Sequence, residues 1–267
     1  MFSNVFFKTL YDMRKSLMWW AILMFLFSLY YMALFPSLQE SSEDIQSYID
    51  NLPDSMMALM GGEMDMTTVN GFLAAEAFSF FYPIFLLAFG IAYGTGLMGG
   101  EEESRTLEVL LATPIARWRV VLEKFAALVV FTAVVLLSIY LGFVAGALVS
   151  GVDEMSYGDV LAGTYNMLPL TLFFAALAQC LLAVRGGRGS ATGIAAGLAA
   201  GTYLLHSMAE VAGIPEWLQR ISPWYYYNGA RAIVDGFSTG NVILLLALGA
   251  ALVGVSLWGF QRRDLGV

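Results

Sequence analysis

Long apolar runs, separated by short polar stretches that carry nearly all the charge, set the pattern of this chain. A helix needs about 20 apolar residues to cross a hydrocarbon core roughly 30 Å thick. Six stretches meet that length, at 17–35, 77–98, 125–150, 161–184, 191–212 and 241–260, and none contains Lys or Arg. Barrel strands would be about 10 residues long and alternating in polarity, so the pattern predicts an all-α polytopic membrane protein. It reads as one transmembrane domain over 1–267 with six transmembrane helices.

The connecting segments carry patterns of their own. In residues 1–16, Phe2, Phe6, Leu10 and Met13 share a face with Leu17, while Lys8, Asp12 and Lys15 lie opposite. This spacing predicts an interfacial helix that turns into the first span. Residues 36–76 form a long outer loop whose Met cluster reads as packing against the membrane surface, in preference to a metal site. Residues 213–237 are too short and polar to cross, yet rich in Trp and Tyr. Pro215, Pro223 and the capping Ser222 predict an outer re-entrant helical hairpin that sets Trp224-Tyr225-Tyr226-Tyr227 at the interface.

Composition removes the alternatives. Of 267 residues, 59% are hydrophobic and 13% charged, which leaves a soluble fold no wetted exterior. A net charge of −8 argues against a nucleic-acid partner. The one cysteine, Cys180, permits no intrachain disulfide, and the one histidine, His206, excludes any site needing two His ligands. No metal site and no catalytic residue set is expected.

The bases fix an orientation. Lys8, Arg14, Lys15, Arg105, Arg117, Arg119, Lys124, Arg185, Arg188, Arg262 and Arg263 flank the spans on one side, against Arg220 and Arg231 on the other. Positive residues stay inside, so both termini are predicted to be cytoplasmic in a multi-pass protein of the cell (plasma) membrane. The 36–76 loop carries eight carboxylates and no base, which reads as a solvated exterior. The first span, at 19 residues, is too long for a secretory signal core and reads as an uncleaved anchor.

Within the spans, Gly90 and Gly94, and Gly193, Gly197 and Gly201, make small faces for helix packing, within one subunit or between two. His206 and Glu210 stand i, i+4 on one face. They read either as a structural pair or as part of a substrate pathway. Gly94-Thr95-Gly96-Leu97-Met98-Gly99 spells a dinucleotide fingerprint but follows a membrane helix and no strand, so it reads as small-residue packing. No phosphate-binding loop occurs anywhere, so ATP hydrolysis by that route lies outside this chain.

Residues 99–117 are the most unusual. Glu101, Glu102 and Glu103 are read as the first turn of a short helix over 101–112, where acids favour the dipole, with Arg105 placed i, i+4 to Glu101. Leu107, Leu110 and Leu111 form its apolar face. Thr113 and Pro114 start the next helix at a sharp corner, and Arg117 stands after it, available to a carboxylate or a lipid phosphate.

The run Gly100-Glu101-Glu102-Glu103-x-x-Thr106-Leu107-x-x-Leu110-Leu111-x-x-Pro114-Ile115-x-Arg117, followed by Lys124, resembles the second-to-third-span connection of type-2 ABC exporter permeases. Pro83 in the second span and Ile221-Ser222-Pro223 before the last fall where that family has them. Arg105 is a departure, because many relatives have Gly there. The resemblance implies a permease subunit whose coupling helix, 101–112, docks on a separate ABC ATP-binding subunit, with 1–16 as the connecting helix. ATP and Mg would belong to that partner, and this chain would hold no cofactor. It also implies pairing with a second permease copy, as a homodimer or with a paralogous permease, within the lipid bilayer. A stand-alone ion- or proton-coupled transporter or channel is the alternative, weakened by the lack of internal repeats. An intramembrane enzyme has too few candidate residues.

Overall fold

A computed structural model describes residues 4–40, 53, 56, 68–106, 115–209, 211–227, 231–234, 236 and 238–262. Helices are the only regular elements among them. The first is α1 (Val5–Glu40). It runs without a break where a turn near residue 17 was expected, because no Gly occurs before residue 61 and the first Pro is Pro36. Nothing in the local sequence stops a helix that spans roughly 54 Å at 1.5 Å per residue.

The next helical run starts at α2 (Val69–Phe72), where the Thr68 hydroxyl accepts from the Gly71 amide at 3.1 Å. It continues through a π-helical segment (Leu73–Phe81) into α3 (Tyr82–Glu103). The helical run extends past the expected 77–98 span at both ends and includes Glu76, which the sequence reading places in the loop. Pro83 explains the π turns: it has no amide to bond back into the ladder, and the wider register before it lets Tyr82 donate to Ala77 O instead.

Then follow α4 (Arg117–Ser150), α5 (Tyr157–Arg185) and α6 (Arg188–Ser207). Short helices α7 (Glu216–Gln219), α8 (Pro223–Tyr227) and α9 (Arg231–Val234) precede α10 (Thr239–Arg262). Among the described residues, five runs are long and apolar enough to cross a membrane: Val5–Gln39, Val69–Glu103, Arg117–Ser150, Tyr157–Arg185 and Thr239–Arg262. Five of the six expected spans meet that measure among the described residues. The 191–212 stretch falls on α6, whose Gly, Ala and Thr residues dilute its hydropathy.

Helix α5 is the hub. It packs against α3, α4, α6, α9 and α10, while α1 lies along α4. The α1–α4 contact is very close. A Cβ on Gly142 would stand 2.4 Å from Phe25 O, and one on Gly146 2.6 Å from the Met32 Cβ. The α3–α5 contact is similar at Gly94, where a Cβ would meet Ala175 O at 2.4 Å. The core follows these seams, with Tyr82, Phe78, Phe89, Phe131, Phe143 and Phe174 fully buried.

Candidate functional site

The three glutamates that drew attention in the sequence end a helix instead of beginning one. Glu101, Glu102 and Glu103 form the last residues of α3, at the negative end of its dipole. Cations gathered from other helices offset that unfavourable position. Lys124 Nζ of α4 stands 2.5 Å from Glu101 Oε2, and Lys8 Nζ of α1 stands 3.4 Å from Oε1. Lys8 also pairs with Asp12 at 3.5 Å. The Lys124 side chain is 3% exposed and also donates to Leu97 O, so one buried ammonium ties α4 to the last turns of α3. Through Glu101, three helices meet at one point.

Two further contacts fasten this end. Glu123 Oε2 accepts from the Val5 and Phe6 amides at 2.7 and 3.1 Å, and Oε1 pairs with Arg119 at 3.3 Å. A carboxylate on the free amides of a helix start satisfies both hydrogen bonding and dipole, so α4 holds the beginning of α1. Arg188, the first residue of α6, pairs with Glu103 at 3.1 Å, with its stem over Gly99 and its guanidinium over Gly96. The fingerprint-like glycines therefore serve packing, as expected. An open cleft of about 220 Å³ beside the junction is lined by Thr9, Asp12, Met13, Leu97, Glu101 and Lys124.

Arg105 departs from the expected pairing. Glu101 has Lys8 and Lys124 as its ion-pair partners, while Arg105 is exposed at φ 57°, the only non-glycine positive φ among the described residues. That conformation suits Gly after a helix end. Thr106 Oγ1 shares a hydrogen with Ser104 Oγ at 2.8 Å and donates to Glu101 O at 3.3 Å. Leu107, Leu110, Leu111 and Pro114 lie outside the described residues. Arg117 opens α4 on an exposed surface. Sequence reasoning places Lys8 and Asp12 on a polar helix face and Arg188 among the flanking bases, and it misses Glu123; their shared destination is a tertiary fact.

The other candidates divide. Gly90 and Gly94 meet α5, whereas Cβ atoms on Gly193, Gly197 and Gly201 would meet nothing within 4 Å. His206 lies in the last turn of α6, and Glu210 is outside the described residues, so the pair is not placed. At that end, the Ser222 hydroxyl caps α8 through the Trp224 amide at 3.2 Å. Trp224 and Tyr227 turn inward, donating to Ala199 O at 3.2 Å and Phe78 O at 2.8 Å. They are buried and do not make an interfacial belt. On the surface of this region, hydrogen bonds from Arg220 and Tyr225 hold the Glu216 carboxyl below the usual carboxylate range. No group of potential metal ligands occurs among the described residues.

No curated protein matches the chain. The family described as multidrug efflux system permease Rv1217c, C-terminal domain, matches residues 10–261. That match runs from the second turn of α1 to the last turn of α10 and takes in Glu101, Glu103, Glu123, Lys124 and Arg188 of the junction. The chain is a membrane protein belonging to this efflux permease family.

Proposed function

We propose that the chain is the permease subunit of a type-2 ABC exporter, forming a translocation pathway and taking its energy from a separate ATP-binding subunit. The observation that carries this reading is the junction at Glu101. The root of the 101–112 segment is tied by Lys8 and Lys124 to the inner ends of α1 and α4. A push on the leucine face of that segment would therefore reach three long helices together. The chain itself has no phosphate loop, so ATP and Mg bind in the partner.

On this reading α6 is the sixth span, since 20 residues reach roughly 30 Å. Residues 213–237 close the outer end as a re-entrant unit, and both termini face the cytoplasm of the cell. The open Gly193, Gly197 and Gly201 face supports pairing with a second permease copy, because small residues let helices approach. Family membership supports export and a broad range of cargo.

Co-expression with a candidate ATP-binding subunit tests the reading. The purified chain alone should neither bind nor hydrolyse Mg-ATP, and the co-purified complex should do both. Tight, saturable Mg-ATP binding by the chain alone would overturn it.

A further inference from the structure

Glu76 is a carboxylate inside a helical run, in the π-helical segment Leu73–Phe81. Ala75, Ala77 and Phe78 around it are buried, while Glu76 stays partly exposed. The Tyr31 hydroxyl donates to its Oε2 at 3.2 Å, and no ion pair reaches it among the described residues. The sequence has no Lys, Arg or His between Lys15 and Arg105, so α1 beyond Lys15, the outer loop and the whole α2–α3 run supply no counter-charge. On the outer side, Arg220 pairs with Glu216. Arg231 belongs to α9, which packs against the π segment.

The surroundings are aromatic. Tyr31 stacks on Phe72 with centroids 5.2 Å apart and planes at 19°, and Phe81 lies 6.2 Å from Tyr31. Phe80, four residues on from Glu76, is 38% exposed, with its ring 6.3 Å from Tyr203 of α6. The acid thus stands beside α1, and the ring run Tyr31, Phe81 and Phe80 leads from it to Tyr203 of α6. Along α1, Tyr31 is roughly 35 Å from Lys8 at 1.5 Å per residue, near the outer boundary of the hydrocarbon core.

A carboxylate in apolar surroundings is costly without a positive partner, and ring faces attract cations. A small hydrated ion would lose its water here. A bulky cation with delocalised charge is poorly hydrated and gains both the carboxylate and the rings. We propose that Glu76, with Tyr31, Phe72, Phe80, Phe81 and Tyr203, forms a recognition site for hydrophobic organic cations. Its place in transport rests on the permease reading; its capacity to bind does not.

The test is equilibrium binding to the purified full chain in lipid nanodiscs, using tetraphenylphosphonium and tetraphenylborate, which match in shape and differ in sign. The cation should bind saturably and about tenfold more tightly than the anion. Glu76→Gln should remove that preference, and Glu76→Asp should keep it, with thermal unfolding of each variant as the check on folding. Equal binding of the two probes by the parent chain overturns the proposal even if Glu76→Gln fails to fold. An unchanged preference in Glu76→Gln also overturns it. So does a preference that appears only once Arg231→Gln is made, since Glu76 would then serve Arg231. No ATP-binding subunit is needed, so failure here leaves the permease reading standing. Intact cation binding in a chain that never couples to ATPase would remove the permease reading and leave the site.

Discussion

One ammonium, that of Lys124, joins Glu101 and the Leu97 carbonyl while almost fully buried. Removing one partner of such a pair strands the other charge, so Lys124→Met or Glu101→Gln should each destabilise the chain by about 3–5 kcal/mol. The double variant should lose less than the sum of the two, which thermal unfolding in detergent would measure as a double-mutant cycle. Glu103→Gln removes an exposed pair with Arg188 and should cost about 0–1 kcal/mol. Equal losses at Glu101 and Glu103 would mean that burial does not distinguish the two pairs. Arg105 offers the opposite sign: at φ 57°, Arg105→Gly should raise stability by about 1 kcal/mol through relief of the left-handed backbone. The i, i+4 spacing of Glu101 and Arg105 misled because such a pair needs a helix running through both residues, and α3 stops between them.

Helices were legible in type and approximate place, and their ends were less so. Apolar length marks a span, but a helix continues beyond it until a residue stops it, as α1 and α3 show at the ends that meet at Glu101. The close packing was partly visible: Gly90 and Gly94 stood out, while Gly142 and Gly146, spaced four apart in the same way, went unnoticed and carry the α1–α4 contact. Their Cβ positions fall on the backbone and Cβ atoms of α1, so neither helix yields by moving a flexible tip. Gly142→Ala should therefore lower stability by about 1–3 kcal/mol as α1 is pushed off α4. Gly197→Ala meets open space and should leave the monomer unchanged or more stable by up to about 1 kcal/mol from helix propensity. Unfolding of the isolated chain separates these effects, and cross-linking in membranes shows whether Gly197→Ala disturbs pairing between copies. A Gly197 variant that unfolds the monomer as Gly142→Ala does would place that face in an intramolecular contact.

For the whole molecule, charge asymmetry and three-dimensional arrangement converge. On the six-span reading, eleven Lys and Arg flank the spans on one side and two on the other, and the structure draws Lys8, Lys124 and Arg188 from three helices around the end of α3. A cluster of this kind fits the cytoplasmic leaflet, where positive residues are retained. Residue Trp217, 67% exposed, lies after α6 at the opposite end. Replacing the buried Cys180 and introducing Glu103→Cys or Trp217→Cys gives two reporters of sidedness. In intact cells a membrane-impermeant maleimide should label the cysteine at 217 and leave the one at 103 unmodified until the membrane is opened. Both positions are open enough to react, since the Glu103 side chain is 58% exposed, so silence at 103 would report the membrane barrier and not burial. External labelling at 103 would invert the topology. It would set the Glu101 junction outside, where no ATP-binding subunit operates, and the coupling role proposed for that junction would fall with it.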